Sequence, residues 1–224
     1  MSILQRQNPL FNNKEQQKLK DMVVLIAGAG GLGTNQAQQL QRIGIKKIYL
    51  YDYDKIAESN LNRQLFYGKK DIGKSKVKKA KKHLESFNLD TKIEIFEKKI
   101  DENIDIPEDV DLIFDALDNF SSRFSLEKIA VKNNIPLIHG GVQSWYGQIT
   151  AIIPGKTVSL KEIFGVAEKK DSESPPVFSP VVSIVASIQV IEGIKVYLNK
   201  EDILANKLLI IDLKENTIDT VKLN

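Results

Sequence analysis

The chain has no cysteine, and its only histidines are His83 and His139. A chain without cysteine forms no disulfide, holds no thiolate zinc site and carries no thioester or persulfide of its own. This composition suits a reducing compartment, and we expect a cytoplasmic protein. Two histidines are also too few for a histidine metal cluster. Because no cysteine, serine or acidic partner stands near His139, we expect it to be a satisfied core or strand-end residue.

An excess of one charge sign and long apolar runs are also lacking. Lys and Arg number 32 against 29 Asp and Glu, a net charge of +3. This balance gives no electrostatic argument for nucleic acid or a membrane surface. The polar opening residues do not resemble a signal peptide, and no apolar run approaches the ~18–20 residues of a membrane span. We therefore expect neither a membrane nor nucleic acid as a partner.

The strongest single motif is a glycine-rich turn after an apolar run. Residues 23–27 (VVLIA) read as a strand, and Gly28, Gly30 and Gly33 after them fit G-x-G-x-x-G. In that pattern the missing Cβ atoms permit a tight turn and let backbone N–H groups approach a phosphate at a helix N-terminus. Alone the pattern is weak, and a glycine turn without any ligand remains an alternative.

The rest of the chain alternates strand and helix patterns. This order predicts an α/β fold, a Rossmann-like doubly wound sheet of mostly parallel strands that antiparallel strands and a C-terminal hairpin continue. We expect an N-terminal arm with a short helix over 1–21, a single domain over 22–224, a crossing loop over about 154–180 and a buried apolar helix over 181–198. Further strands are predicted at 45–52, 93–96, 110–115, 135–139, 148–153, 208–213 and 217–223, with a turn at Gly140-Gly141.

Acidic residues follow two of the predicted parallel strands. Asp52 stands where the second strand of a nucleotide-binding fold places an acid on ribose hydroxyls. Its alternative role is that of a turn aspartate shared with Asp54. Asp118 and Asn119 follow the strand over 110–115, at the edge where open α/β sheets bind ligands. Their alternative is helix entry, with Ser121 or Ser122 as the N-cap.

Five motifs together carry a family resemblance. GAGGLG at 28–33, YDYD at 51–54, SNLNRQ at 59–64, GKSK at 73–76 and DALDN at 115–119 resemble, in order and spacing, the ThiF/MoeB/HesA adenylyltransferases, relatives of ubiquitin-activating enzymes. The resemblance covers nearly the whole chain. It implies ATP- and Mg²⁺-dependent adenylation of the C-terminal carboxylate of a small ubiquitin-fold carrier protein that ends in Gly-Gly, with release of pyrophosphate.

The resemblance also implies roles for individual residues. The catalytic residues would be Arg63, Lys76, Asp118 and Arg6; Asp118 would be linked to Mg²⁺, and Arg6 would reach the nucleotide site of the neighbouring protomer in a homodimer. The nucleotide-binding residues would be Gly28, Gly30, Gly31, Leu32, Gly33, Asp52, Asp54, Asn60, Arg63, Gln64, Lys76, Asp118 and Asn119.

The chain departs from the family pattern at its missing cysteines. Many relatives bind structural zinc through two C-x-x-C pairs, so we expect no zinc here, and covalent carriage of the substrate by this chain is excluded. Adenylation needs no cysteine. The alternatives to it are an ATP-binding scaffold without turnover, an NAD(P)-dependent oxidoreductase, and a transferase acting on a nucleic-acid base.

Overall fold

One eight-stranded sheet forms the centre of the computed structural model, which describes residues 3–165 and 176–223. The strand order is β3-β2-β1-β4-β5-β6-β7-β8, parallel through β5 and antiparallel beyond it. The strands are β1 (Val23–Ala27), β2 (Lys47–Tyr51), β3 (Lys92–Phe96), β4 (Leu112–Asp115), β5 (Leu137–Gln143), β6 (Tyr146–Ile152), β7 (Lys207–Asp212) and β8 (Thr217–Lys222).

Helices cover both faces of the sheet. Those that pack on one face share a core with α6, and those on the other face share a core with α4. The helices are α1 (Asn13–Asp21), α2 (Gly31–Ile43), α3 (Lys76–Glu85), α4 (Phe120–Lys132), α5 (Leu160–Phe164) and α6 (Ser179–Tyr197). The predicted α/β fold with a doubly wound, mostly parallel sheet is confirmed.

The central strand β1 positions the functional edge. All five of its residues are buried, because β2 and β4 flank it and helices cover both faces. The chain leaves β1 toward β2 on one side and later returns to β4 on the other. The carboxyl ends of β1, β2 and β4 therefore meet at the point where the strand order reverses, which is where open α/β sheets bind their ligands.

The predicted end of β5 is wrong. The strand continues through Gly140 and Gly141 to Gln143, and the turn follows at Ser144, whose φ is +54°. These glycines make room for side chains instead of turning the chain. A Cβ on Gly140 would lie 2.2 Å from Gln189 Cδ, and a Cβ on Gly141 would lie 3.0 Å from Gln148 Nε2.

The antiparallel end of the sheet confirms the predicted hairpin. β6 pairs with both β5 and β7, and β7 pairs with β8 over six residues. All six residues of β8 are exposed, so this last strand packs against no helix among the residues described. The hairpin therefore extends beyond the layered core.

Helix α6 corrects one expectation. By length and composition alone it could cross a membrane, whereas we expected no such segment. Its buried residues nevertheless pack in the same core as α2 and the sheet. The predicted crossing loop contains α5 and ends where α6 begins; the part of it at residues 166–175 lies outside the described residues.

Candidate nucleotide-binding site

The glycine turn joins β1 to α2. Gly28 has φ +109° and donates its N–H to the carbonyl of Tyr51 at 2.7 Å. A Cβ on Gly33 would lie 1.8 Å from the carbonyl oxygen of Gly28, so the first turn of α2 can lie this close to the loop only without a side chain there. Helix α2 begins at Gly31, inside the glycine motif, and its N-terminal N–H groups lie at the sheet edge.

Asp52 joins this turn to the end of β2 through hydrogen bonds. Its Oδ2 accepts the Ala29 N–H at 2.8 Å, and its Oδ1 accepts the Asp54 N–H at 2.8 Å. Burial raises the pKa of Asp52, and the nearby Lys76 ammonium opposes that rise. Both oxygens therefore have backbone partners, and a ribose contact would add to an existing structural role.

Lys76 is the first residue of α3, and its side chain is buried. Its Nζ lies 2.7 Å from Asp54 Oδ2 and 4.0 Å from Asp52 Oδ2. One ammonium thus faces two carboxylates at the edge of the glycine turn. Tyr67 supports the same region, because its hydroxyl donates to the carbonyl of Ala29 at 2.8 Å.

The SNLNRQ segment lies against the glycine turn. Asn60 Oδ1 accepts the Ala57 N–H at 3.0 Å and so caps its own loop. Arg63 is half-buried, and its Nη1 donates to the Ser59 carbonyl and to Asn62 Oδ1, both at 2.9 Å, in solvent-exposed hydrogen bonds. The stem of Arg63 passes beside Gly31, where an added Cβ would lie 3.4 Å from Arg63 Cγ.

Gln64 of the same segment is buried and faces the turn. Its Nε2 lies 3.6 Å from the position that a Cβ on Gly30 would take. Its Oε1 has no hydrogen-bond partner among the residues described. The amide atom of Gln64 that lies beside the glycine turn is therefore a hydrogen-bond donor, which is what a phosphate oxygen requires.

The last two residues of the DALDN loop, Asp118 and Asn119, have different roles. Asn119 is the N-cap of α4, since its Oδ1 accepts the Ser122 N–H at 2.9 Å; the predicted Ser121 or Ser122 cap is wrong. Asp118 is exposed and accepts a hydrogen bond from Asn119 Nδ2 at 3.2 Å. The pKa of Tyr53 is raised by Asp54 first, then by burial and by Asp118, so Asp118 belongs to the same electrostatic surroundings.

His139 is buried as predicted, but the expectation that it lacks an acidic partner is wrong. Its Nδ1 lies 2.7 Å from Asp115 Oδ2, and both side chains are fully buried. Arg123 approaches the same carboxylate at 3.6 Å. Burial lowers the pKa of His139. The sequence signal for this pair was available: both residues stand near the carboxyl ends of strands that we predicted to be parallel.

A magnesium ion fits the residues at this edge. Within 3–165 and 176–223 no group of three His, Asp or Glu side chains could enclose a metal ion, and no basic side chain pairs with Asp118. Mg²⁺ usually keeps several waters and takes one or two protein carboxylates beside substrate phosphates. Asp118 suits that kind of site, because it is exposed and its hydrogen-bond donor is the neutral amide of Asn119 and not a cation.

Arg6 is not part of this site within one chain. The arm packs at the far end of α2, where Gln7 Nε2 donates to the Ile43 carbonyl at 3.1 Å and Leu4 contacts Gly44. The 13 residues of α2 separate that end from the glycine turn by about 20 Å. Arg6 itself is exposed. Among the predicted residues it is the one that the fold places elsewhere.

The switch point, the glycine turn and the acid after β2 define a Rossmann-like nucleotide-binding protein. The chain belongs to the ThiF family, whose model matches residues 4–224. The predicted family is therefore confirmed.

Relatives and solved structures agree with this assignment. The chain is 30% identical over 212 residues to the SAMP-activating enzyme E1 of Haloferax volcanii, covering 92% of this chain and 78% of that protein. It is 31% identical over 192 residues to the sulfur carrier protein ThiS adenylyltransferase of Bacillus subtilis, covering 83% and 57%. The crystal structure of E. coli MccB with ATP superposes with a TM-score of 0.80 at 26% identity, over 94% of this chain and 65% of that one.

The chain is thus a ThiF-family protein by class, and its relatives include proteins named adenylyltransferases. It spans 57% of the ThiS adenylyltransferase and 65% of MccB, both less than two thirds of those proteins.

Proposed function

We propose that this chain uses ATP and Mg²⁺ to adenylate the C-terminal carboxylate of a small ubiquitin-like carrier protein ending in Gly-Gly. The observation that carries the proposal is the meeting of the glycine turn, Arg63, Lys76 and Asp118 at one sheet edge. The names of the two relatives, a SAMP-activating enzyme and a ThiS adenylyltransferase, and a solved MccB structure with ATP support it.

The reaction brings its own nucleophile and electrophile. A carboxylate oxygen of the carrier attacks the α-phosphorus of ATP, the bond from that phosphorus to the bridging oxygen breaks, and pyrophosphate leaves with the electron pair. The products are an acyl adenylate and pyrophosphate. No side chain has to become a nucleophile, so the protein contributes positioning and positive charge.

The described residues can make these contributions. The guanidinium of Arg63, whose present hydrogen bonds are solvent-exposed, can form paired hydrogen bonds with phosphate oxygens once its bonds to Ser59 and Asn62 are broken. Lys76 offsets the charge of Asp52 and Asp54, which would otherwise repel a triphosphate next to the turn. Asp118 would hold Mg²⁺, which when bound offsets charge on the phosphates.

Carrier-dependent exchange of labelled pyrophosphate into ATP tests the proposal. The assay uses the purified chain with ATP, Mg²⁺ and the co-encoded small protein that ends in Gly-Gly. We expect exchange, and we expect Asp118→Ala and Arg63→Ala each to lower its rate by about 10²-fold or more. Asp202→Ala and Arg42→Ala, exposed positions far from the turn, serve as controls and should change little.

Absence of exchange with such carriers would remove the proposal, and undiminished rates in the Asp118 and Arg63 variants would remove the assigned site. The second candidate, an ATP-binding scaffold, is favoured by one observation: the Lys76 ammonium already pairs with Asp54. ATP binding without exchange would select the scaffold.

We further propose a homodimer in which Arg6 serves the neighbouring site. Arg6 lies too far from the turn of its own chain to serve it. Helix α6 exposes the apolar residues Ile184 and Ile191, and a second copy of the chain would cover this face of the helix. Mixing inactive Arg6→Ala with inactive Asp118→Ala should restore about one quarter of the wild-type rate, because half of the dimers are mixed and each has one intact site. Failure to recover activity, with dimers seen by sedimentation, would contradict a shared site.

A further inference from the structure

The DALDN loop is anchored by one buried carboxylate. Asp115 Oδ1 accepts the Leu117 N–H at 3.0 Å, and Arg123 Nη2 donates to the Leu117 carbonyl at 2.8 Å. Leu117 is thus held at both of its backbone polar groups. The residue after it is Asp118, so the placement of the Asp118 backbone depends on the orientation of the Asp115 carboxylate.

His139 determines that orientation. Its Nδ1 lies 2.7 Å from Asp115 Oδ2, whereas Arg123 Nε lies 3.6 Å from the same oxygen. A neutral imidazole with its proton on Nδ1 donates to this oxygen, which leaves Oδ1 facing the Leu117 N–H. The ring of Phe164, 5.2 Å from the imidazole centroid, packs against His139 in the same buried region.

We propose that His139 is a positioning residue: through Asp115 it holds the Leu117 backbone and so presents Asp118 to the phosphate site. The role of Asp118 in this statement rests on the function proposed above, whereas the holding of the loop does not. His139 touches neither the turn nor any predicted phosphate contact, and its Nε2 has no partner among the described residues.

Two substitutions separate hydrogen bonding from packing at this position. In His139→Asn the amide Nδ2 is bonded to Cγ, as the imidazole Nδ1 is, and can donate to the same Asp115 oxygen. His139→Leu fills similar space without a donor and leaves the buried carboxylate short of one hydrogen bond, a loss that corresponds to about tenfold in an equilibrium.

The primary measurement is amide hydrogen exchange at Leu117 and Asp118 in the folded proteins. We expect exchange to be about tenfold faster in His139→Leu and within about twofold of wild type in His139→Asn. The second measurement is the Mg²⁺ concentration for half-maximal binding of ATP, which should rise by a similar factor in His139→Leu alone. A residue that only filled space would alter melting temperature without moving either quantity.

Unchanged exchange in a folded His139→Leu would overturn the proposal. If that variant does not fold by circular dichroism, His139→Ala is measured against His139→Asn with the same expected contrast. If the wild type binds no ATP, the proposed function fails, while the exchange rates still decide whether His139 holds the loop.

Discussion

Replacing Lys76 by methionine tests the charge arrangement at the glycine turn. Lys76 and Asp52 are buried, with side chains 8% and 9% exposed, and Asp54 is 43% exposed. Breaking a fully buried ion pair costs about 3–5 kcal/mol. Because Asp54 retains access to water, we expect Lys76→Met to lower the free energy of unfolding by about 2–3 kcal/mol at pH 7.

The loss should depend on pH. Burial raises the pKa of Asp52, and its Lys76 neighbour opposes that rise; without Lys76 the pKa rises further. A carboxyl group whose pKa is raised in the folded state favours folding at low pH, and this contribution disappears as the pH increases through the raised pKa. The difference between variant and wild type should therefore shrink as the pH is lowered from 7 toward 5.

Urea denaturation followed by circular dichroism at both pH values measures the effect. Lys78→Met is the matched control, since Lys78 lies on the same helix but its side chain is 66% exposed and pairs with Glu97 at the surface. We expect that control to cost less than about 0.5 kcal/mol. Equal losses in the two variants, or a loss at position 76 that does not change with pH, would refute the reasoning.

Three other substitutions have expected outcomes. Gly33→Ala should abolish ATP binding measured by calorimetry, because the new Cβ would lie 1.8 Å from the Gly28 carbonyl oxygen; tight binding would show that the turn adjusts. Asp71→Asn should lower the free energy of unfolding by about 1–2 kcal/mol at pH 7, since a hydrogen bond from Lys79 lowers the pKa of Asp71 to about 2. In urea titrations this loss should disappear as the pH falls from about 4 to about 2, where Asp71 becomes protonated in the wild type. A loss that persisted at about pH 2 would show that the charge of Asp71 is not its cause. Ile191→Asp on the exposed side of α6 should shift sedimentation toward the monomer, and an unchanged dimer would place the contact elsewhere.

The parallel half of the fold was predictable because its strands are apolar runs between helix patterns. The glycine turn, the start of α3 at Lys76 and the C-terminal hairpin all lie where residue types demand them. The end of β5 was not predictable, because the reason for Gly140 is Gln189, a residue on α6 that is remote in sequence. Local signals indicate turns well, but they do not reveal which distant side chain needs the space.

The candidate site shows the same contrast between what local motifs indicate and what contacts remote in sequence decide. The motifs indicated residues that the fold does bring to one sheet edge, with the exception of Arg6, but they did not indicate the partners of those residues. Lys76 was expected to face phosphate and pairs with Asp54, and His139 was expected to have no acidic partner and contacts Asp115. Both differences arise from contacts between neighbouring strand ends or between a strand end and a helix start. Such contacts depend on strand order, which no single motif contains.

The buried amide of Gln189 ties three elements together, with a consequence for how this sequence can change. Gln189 Nε2 donates to the carbonyls of Asp115 and Ile138, and its Oε1 accepts from Gln36 Nε2 at 2.8 Å. Position 140 can gain a methyl group only if position 189 loses its long side chain, and that loss would leave two carbonyls and the Gln36 amide without partners. A substitution at either position therefore requires a matching substitution at the other. Changing one of the two alone would disrupt the buried hydrogen bonds that join α6 to α2 and to the ends of β4 and β5.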